Sequence, residues 1–230
     1  MKAFGLVTIT EEEIIRIETS TKKDKNSWKE ERSKRMCFSS FGNLCKFTDK
    51  TDTKKLCTRL MNTQDLYAVP ILHGKKYERA AVQMYEKNTG ITTPECEHFV
   101  SNSHPYLGST PDRKVSQTKL LEVKCPLSAH MKQISPITVP FLEGTAENLS
   151  LKKSHDYHYQ IQGQMFCVGK EVLSVDFVVF TDTDIKVINV KRDDIFIANM
   201  LRNLESFYAD HFRQAVLDKY FYHDYSALSF

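Results

Sequence analysis

Two carboxylates and a lysine written into strand-like sequence between Gly108 and Pro126 limit the folds open to this chain more than any other feature. The segment runs Gly108-Ser109-Thr110-Pro111-Asp112 and, after nine intervening residues, Glu122-Val123-Lys124-Cys125-Pro126. Leu120 to Lys124 starts apolar, alternates thereafter and is closed by Pro126, the pattern of a strand ended by a turn. Side chains on a strand repeat every two residues, so Glu122 and Lys124 share a face. Tyr106 to Thr110 reads as a second short strand, with polar Arg113 to Lys119 as the hairpin connection; Asp112 is then set beside Glu122. Two carboxylates on the inner side of a sheet edge repel each other unless something positive lies between them, and a hard divalent cation with oxygen ligands is the usual answer. Mg2+ or Mn2+ fits, with the Val123 carbonyl, water and a phosphate oxygen completing the shell. Lys124 has no oxygen to offer. Its ammonium can hold and help deprotonate an attacking water, or neutralise charge growing on a phosphodiester transition state. The plain alternative is a surface hairpin with one ion pair, since Glu-x-Lys alone is a common chance string.

Three further segments have a readable organisation. His73 to about Lys87 has a helical period, with Tyr77, Ala81, Met84 and Tyr85 on its apolar face, Glu78 at the edge of that stripe and Asn88 to Gly90 as its stop. His155 to Met165 is a second helix. It sets His155, Tyr159, Gln162 and Phe166 along one side and Ile161, Met165 and Val168 along another. Trp28 to Gly42 reads as a basic helix running into a loop, for which a solvated charged face is the plain expectation.

Pro111-Asp112, a spacer and Glu122-x-Lys124 resemble the signature of the PD-(D/E)xK nuclease superfamily. The longer strings Leu107 to Asp112 and Leu120 to Pro126 are similar to its YqaJ branch, the family of lambda exonuclease. The resemblance spans about residues 28 to 212. It implies an α/β fold, a restriction-endonuclease-like core with a central mixed sheet flanked by helices. It further implies that Asp112, Glu122 and the Val123 carbonyl bind Mg2+, with Mn2+ as a substitute. Glu78 assists through a Gly74-x-x-x-Glu78 helix, Lys124 orients the water, and Gln162 of a Tyr-x-x-Gln-x-Gln pattern supports the site. Gln160 and Gln164 are expected to be exposed, as most glutamines are. Arg32 and Ser39 match the arginine and serine that hold a DNA phosphate, and guanidinium plus hydroxyl is sound phosphate chemistry. Two departures stand out. Met36-Cys37-Phe38 replaces the family's Ile-Thr-Ala, and Arg113 follows Pro-Asp where glycine is usual, which is read as a plain exposed arginine.

The activity so implied is 5′-to-3′ degradation of one strand of linear double-stranded DNA in recombination or DNA processing. Family members can close into a homotrimer around DNA, and a single-strand annealing protein is the implied partner. Two rival readings remain: a structure-directed endonuclease of the same fold, and a catalytically inactive DNA-binding module of a mobile or virus-derived element.

Composition sets limits. At 230 residues, 41% hydrophobic, the chain can bury one core. The expected division is an N-terminal extension (1–27), one nuclease domain (28–219) and an aromatic tail (220–230). Net charge is only +3, yet Lys and Arg crowd residues 22–35 and 46–59, where they can track a phosphate backbone. Six cysteines lie scattered with no Cys-x-x-Cys, so free thiols are expected rather than zinc or disulfides. No membrane span or leader is written in the chain, and an intracellular protein, cytoplasmic or nuclear, is expected. Ser20 to Ser27 reads as a loop and Pro136 to Ser154 as an insertion. Val172 to Phe180 and Ile185 to Val190 read as a strand pair, and Asp193 to Lys219 as mainly helix.

Overall fold

The structure, a computed structural model, describes residues 8–62 and 67–222. What the sequence suggested for residues 1–7 of the extension and 223–230 of the tail lies outside the described residues. In chain order come α1 (Glu11–Lys23), α2 (Lys25–Ser33), β1 (Met36–Cys37), α3 (Phe41–Cys45), α4 (Thr53–Met61), α5 (Val69–Thr89), β2 (Phe99–Val100), β3 (Leu107–Ser109), β4 (Arg113–Lys114), β5 (Lys119–Lys124), β6 (Leu142–Gly144) and β7 (Leu149–Leu151). Then follow α6 (Asp156–Val168), β8 (Ser174–Phe180), β9 (Ile185–Lys191), α7 (Asp194–Phe207) and, beyond one π-helical turn, α8 (Arg213–Leu217).

The central sheet has the order β4-β5-β8-β9 and is mixed. The β5–β8 pair is parallel, whereas β4–β5 and β8–β9 are antiparallel. A parallel pair needs a crossover, and α6 lies within the connection between β5 and β8. Both faces of β5 are covered. Leu120 packs with Ile161 and Met165 of α6, while Leu121 and Val123 pack with Ala81, Val82 and Tyr85 of α5. Strand alternation therefore puts Glu122 and Lys124 on the α6 side. A buried polar knot helps dock α5: Asp176 of β8 accepts from the Tyr85 hydroxyl (2.7 Å) and Asn189 Nδ2 (2.6 Å), and Lys119 Nζ lies 3.2 Å from it.

The hairpin reading needs correction. Residues 107–109 do not pair with β5; β3 joins a separate sheet of order β1-β3-β2. The strand antiparallel to β5 is β4, made by Arg113 and Lys114 themselves, with Arg113 opposite Leu121. Asp112 thus occupies the step between two sheets. The expected loop at Ser20 to Ser27 is also overturned. Thr10 and Glu13 form a reciprocal capping box that starts α1, and Asp24 caps α2 by accepting from the Asn26 and Ser27 amides, so two helices meet there. Polar composition hid the helices because α1 buries only Ile17 and Thr21. The 136–154 insertion carries the β6–β7 hairpin.

Helix α5 covers the sequence-predicted segment and ends at Thr89, where Gly90 takes the left-handed conformation (φ 71°) that glycine adopts without steric cost. Its buried stripe is Ala81, Val82 and Tyr85; Met84, placed on the apolar face from sequence, is 40% exposed. The strand pair and the C-terminal helix stand as β8, β9 and α7. All six cysteines are free thiols. No helix among the described residues is long and apolar enough to cross a membrane.

Candidate active site

The C-terminal end of β5 opens into a cleft of about 350 Å3 lined by Gly74, Lys75, Glu78, Asp112, Val123, Lys124 and Tyr157, among others. A Cβ at Gly74 would meet no protein atom within 4 Å, so packing does not require glycine there. Asp112 is fixed by one strong contact: its Oδ2 accepts the Val123 backbone N–H at 2.7 Å. Loss of water pushes its carboxyl well above the usual range, and the charges of Glu122 and Glu78 push the same way against Lys124. Glu78, half-buried on α5, is raised by burial and by Glu122, with Arg113 opposing.

Beneath the cleft, Glu122 is 2% exposed. Lys124 Nζ donates to its Oε1 at 2.6 Å. Burial pulls the Lys124 pKa down, but the charges of Glu122 and Asp112 outweigh it and raise it above the ordinary lysine value. That ammonium also lies 4.7 Å from the centre of the Tyr157 ring, within cation–π range.

Two buried amides complete the shell of Glu122. Gln160 Nε2 donates to Oε1, and Gln164 Nε2 donates to Oε2 at 2.6 Å. The expectation that Gln160 and Gln164 are exposed is therefore wrong: they are 5% and 0% exposed. Gln162 faces elsewhere. Its Nε2 donates to the Lys191 carbonyl (2.9 Å) and its Oε1 accepts from the Asp193 N–H (2.9 Å), tying α6 to the start of α7. The physical reason is helical phase. Residues four apart share a side and residues two apart do not, so Gln160 and Gln164 reach the carboxylate that Gln162 cannot.

Arg113 is not the plain exposed arginine of the sequence reading. Its side chain is 16% exposed, Nη2 pairs with Glu95 at 3.2 Å, and Nη1 donates to the Asp112 carbonyl at 2.8 Å. Arg32 lies with its guanidinium 4.5 Å from the Trp28 ring centre and 5.9 Å from that of Phe38. The Trp28 indole N–H donates to Thr110 Oγ1 at 3.1 Å, and this hydroxyl also bonds His98 Nδ1 at 3.0 Å. Arg32 is thereby linked through Trp28 to the strand end that carries Asp112, while Ser39 stands exposed in the turn Phe38–Ser40. Asp112, Glu122, Val123, Lys124 and Glu78 are brought together; Gln162 is not. Tyr157, Gln160, Gln164 and Arg113 were missed as contributors, although the i, i+4 spacing of Gln160 and Gln164 was visible in the sequence.

Among the described residues no three His, Cys, Asp or Glu side chains stand close enough together to hold an ion by themselves. A cation that retains several waters and takes one or two carboxylates, as Mg2+ does, makes no such demand. The carboxyls of Asp112 and Glu78 are both raised, by burial first and by neighbouring acids after it, and the donor set is oxygen throughout. These residues fit a hard divalent ion.

An alkaline exonuclease from Laribacter hongkongensis superposes with a TM-score of 0.65 at 22% identity, covering 89% of this chain and all of that one. The same exonuclease, LHK-Exo, in complex with dAMP gives 0.66 at 22% identity with the same coverage. A phage related exonuclease from Haemophilus somnus gives 0.54 at 14% identity, over 75% of this chain and 91% of that one. No curated protein matches the chain. The fold is thus the α/β, restriction-endonuclease-like one. The model of the YqaJ-like viral recombinase domain matches residues 27–171, and the chain belongs to that family.

Proposed function

We propose that this protein is a divalent-metal-dependent deoxyribonuclease that degrades one strand of linear duplex DNA from its 5′ end. The observation that carries the reading is the cluster at the end of β5: Asp112 held on the Val123 amide, Glu122 buried under three donors, and Lys124, one of those donors, lining the cleft beside Asp112. Membership of the recombinase family and the likeness to exonucleases support it.

Asp112, Glu122 and the Val123 carbonyl are the residues that would hold Mg2+ or Mn2+, with Glu78 assisting from α5. The bound ion supplies Lewis acidity toward a phosphate oxygen and a more acidic water. Lys124, kept protonated by its two acids, orients the water and offsets negative charge as the phosphodiester is attacked. Gln160 and Tyr157 restrict the motion of Glu122 and Lys124. Arg32 and Ser39 bind a backbone phosphate, with Trp28 and Phe38 restricting the guanidinium. A ring of three copies around the duplex and a single-strand annealing partner belong to the same proposal, as does a role in recombination.

The test is release of nucleotides from a linear duplex with 5′-phosphate ends, with and without Mg2+, beside a closed circle. Loss of the linear duplex only is expected. Lys124→Ala should lower single-turnover release by about 10²- to 10³-fold, the usual effect of removing a group aimed at developing charge. Cutting of the circle would replace the end-directed mechanism with an endonuclease. No cutting with Mg2+ or Mn2+ would leave a DNA-binding module.

A further inference from the structure

Gln164 sits one helical turn beyond Gln160, and the two amides approach one carboxylate from the same side of α6. They do not do the same thing there. Oε1 of Glu122 accepts from both Lys124 and Gln160, whereas Oε2 accepts from Gln164. A carboxylate oxygen has two lone-pair directions. Two donors fill those of Oε1; at Oε2 the bond to Gln164 leaves one.

The orientation of Gln164 is forced. Turning its carbonyl toward Glu122 would set two acceptors face to face, so Nε2 must point at the carboxylate. Its own Oε1 is then buried without a partner among the described residues, on a side chain that is 0% exposed. Packing α6 onto the sheet does not require this, because a leucine or methionine would fill the same space with no orphaned acceptor. What the amide adds is a fixed direction for one oxygen of Glu122.

We propose that Gln164 is a positioning residue for the metal centre. By occupying one lone pair of Glu122 Oε2, it leaves the other as the single direction in which Glu122 ligates the cation. This rests on the metal-dependent reading above. It assigns to Gln164 a task distinct from that of Gln160, which shares the lysine-bound oxygen.

The test is Mn2+ binding to the full chain without DNA, by calorimetry, for the parent protein, Gln164→Leu, Gln164→Met and Gln162→Leu. Groups that orient metal ligands typically change affinity by about 10- to 100-fold when removed. A weakening in that range is expected for both Gln164 variants, with the Mn2+ concentration for half-maximal nucleotide release rising by the same factor and the KM for DNA unchanged. Gln162→Leu, which loses bonds to Lys191 and Asp193 instead, should unfold more easily yet bind Mn2+ as the parent does. Methionine keeps the length and volume of glutamine, so the measurement stands on it if the leucine variant does not fold. Parental affinity in folded Gln164→Met would overturn the assignment while leaving the metal site intact; absence of Mn2+ binding by the parent would overturn the metal reading itself.

Discussion

At the residue scale, the burial of Glu122 explains most of its surroundings. A carboxylate out of water is tolerated only when donors replace the water it has lost, and Lys124, Gln160 and Gln164 supply three, two at Oε1 and one at Oε2. His158, on the same helix, shows the opposite solution. It is 4% exposed, both ring nitrogens are buried without partners among the described residues, and its ring packs edge-on against Phe196 at 4.7 Å. Burial, reinforced by Lys153, lowers its pKa to about 4. The folded state thus keeps His158 neutral where the unfolded chain, near the ordinary value of 6.5, already takes up a proton. Stability from this residue is complete above about pH 6.5 and is lost as pH falls toward 4, amounting to about 2 kcal/mol by pH 5. Urea unfolding at pH 7 and pH 5 should show that loss together with one from His98, whose burial also holds its pKa well below the ordinary value, and His158→Phe should shrink the difference by about 2 kcal/mol.

At the element scale, α6 carries the most constraint per residue. One side holds Glu122, another ties to α7 through Gln162, and a third lies so close to α3 that a Cβ on Gly163 would overlap the Phe41 ring. Alanine is the better helix former by about 1 kcal/mol. Here that gain is outweighed, since overpacking a rigid aromatic costs about 1–3 kcal/mol. Gly163→Ala should therefore lower the midpoint of thermal unfolding, and adding Phe41→Leu should recover part of the loss. Helix α5 is simpler: a buried stripe against the sheet, a glycine stop, and Glu78 presented at the edge of the cleft.

At the scale of the whole molecule, two sheets and their helices meet at Asp112, so the site depends on parts far apart in the chain. Helix α1, within the stretch set apart as an extension, contributes to this assembly. Ile17 is buried, Thr21 Oγ1 accepts the His98 N–H at 3.2 Å, and Lys22 pairs with Glu97 at 3.5 Å. His98 in turn bonds Thr110, two residues before Asp112. Deleting residues 1–23, which leaves the Asp24 cap of α2 in place, should cost about 2–4 kcal/mol, the sum of one buried isoleucine and one buried hydrogen bond; chemical denaturation of the truncated chain measures it. By itself, the amino-acid sequence determined the strand of Glu122 and Lys124, the helices bearing Glu78 and the glutamines, and the family, because these are local periodicities and short ordered motifs. Only the tertiary structure decided which sheet the strand before Asp112 joins and which strand pairs with β5, because register and sheet membership depend on partners distant in sequence. It likewise decided that Gln160 and Gln164, not Gln162, face Glu122. Helical phase restricts which glutamines can act together, but the docking angle of α6 on the sheet selects the pair that does.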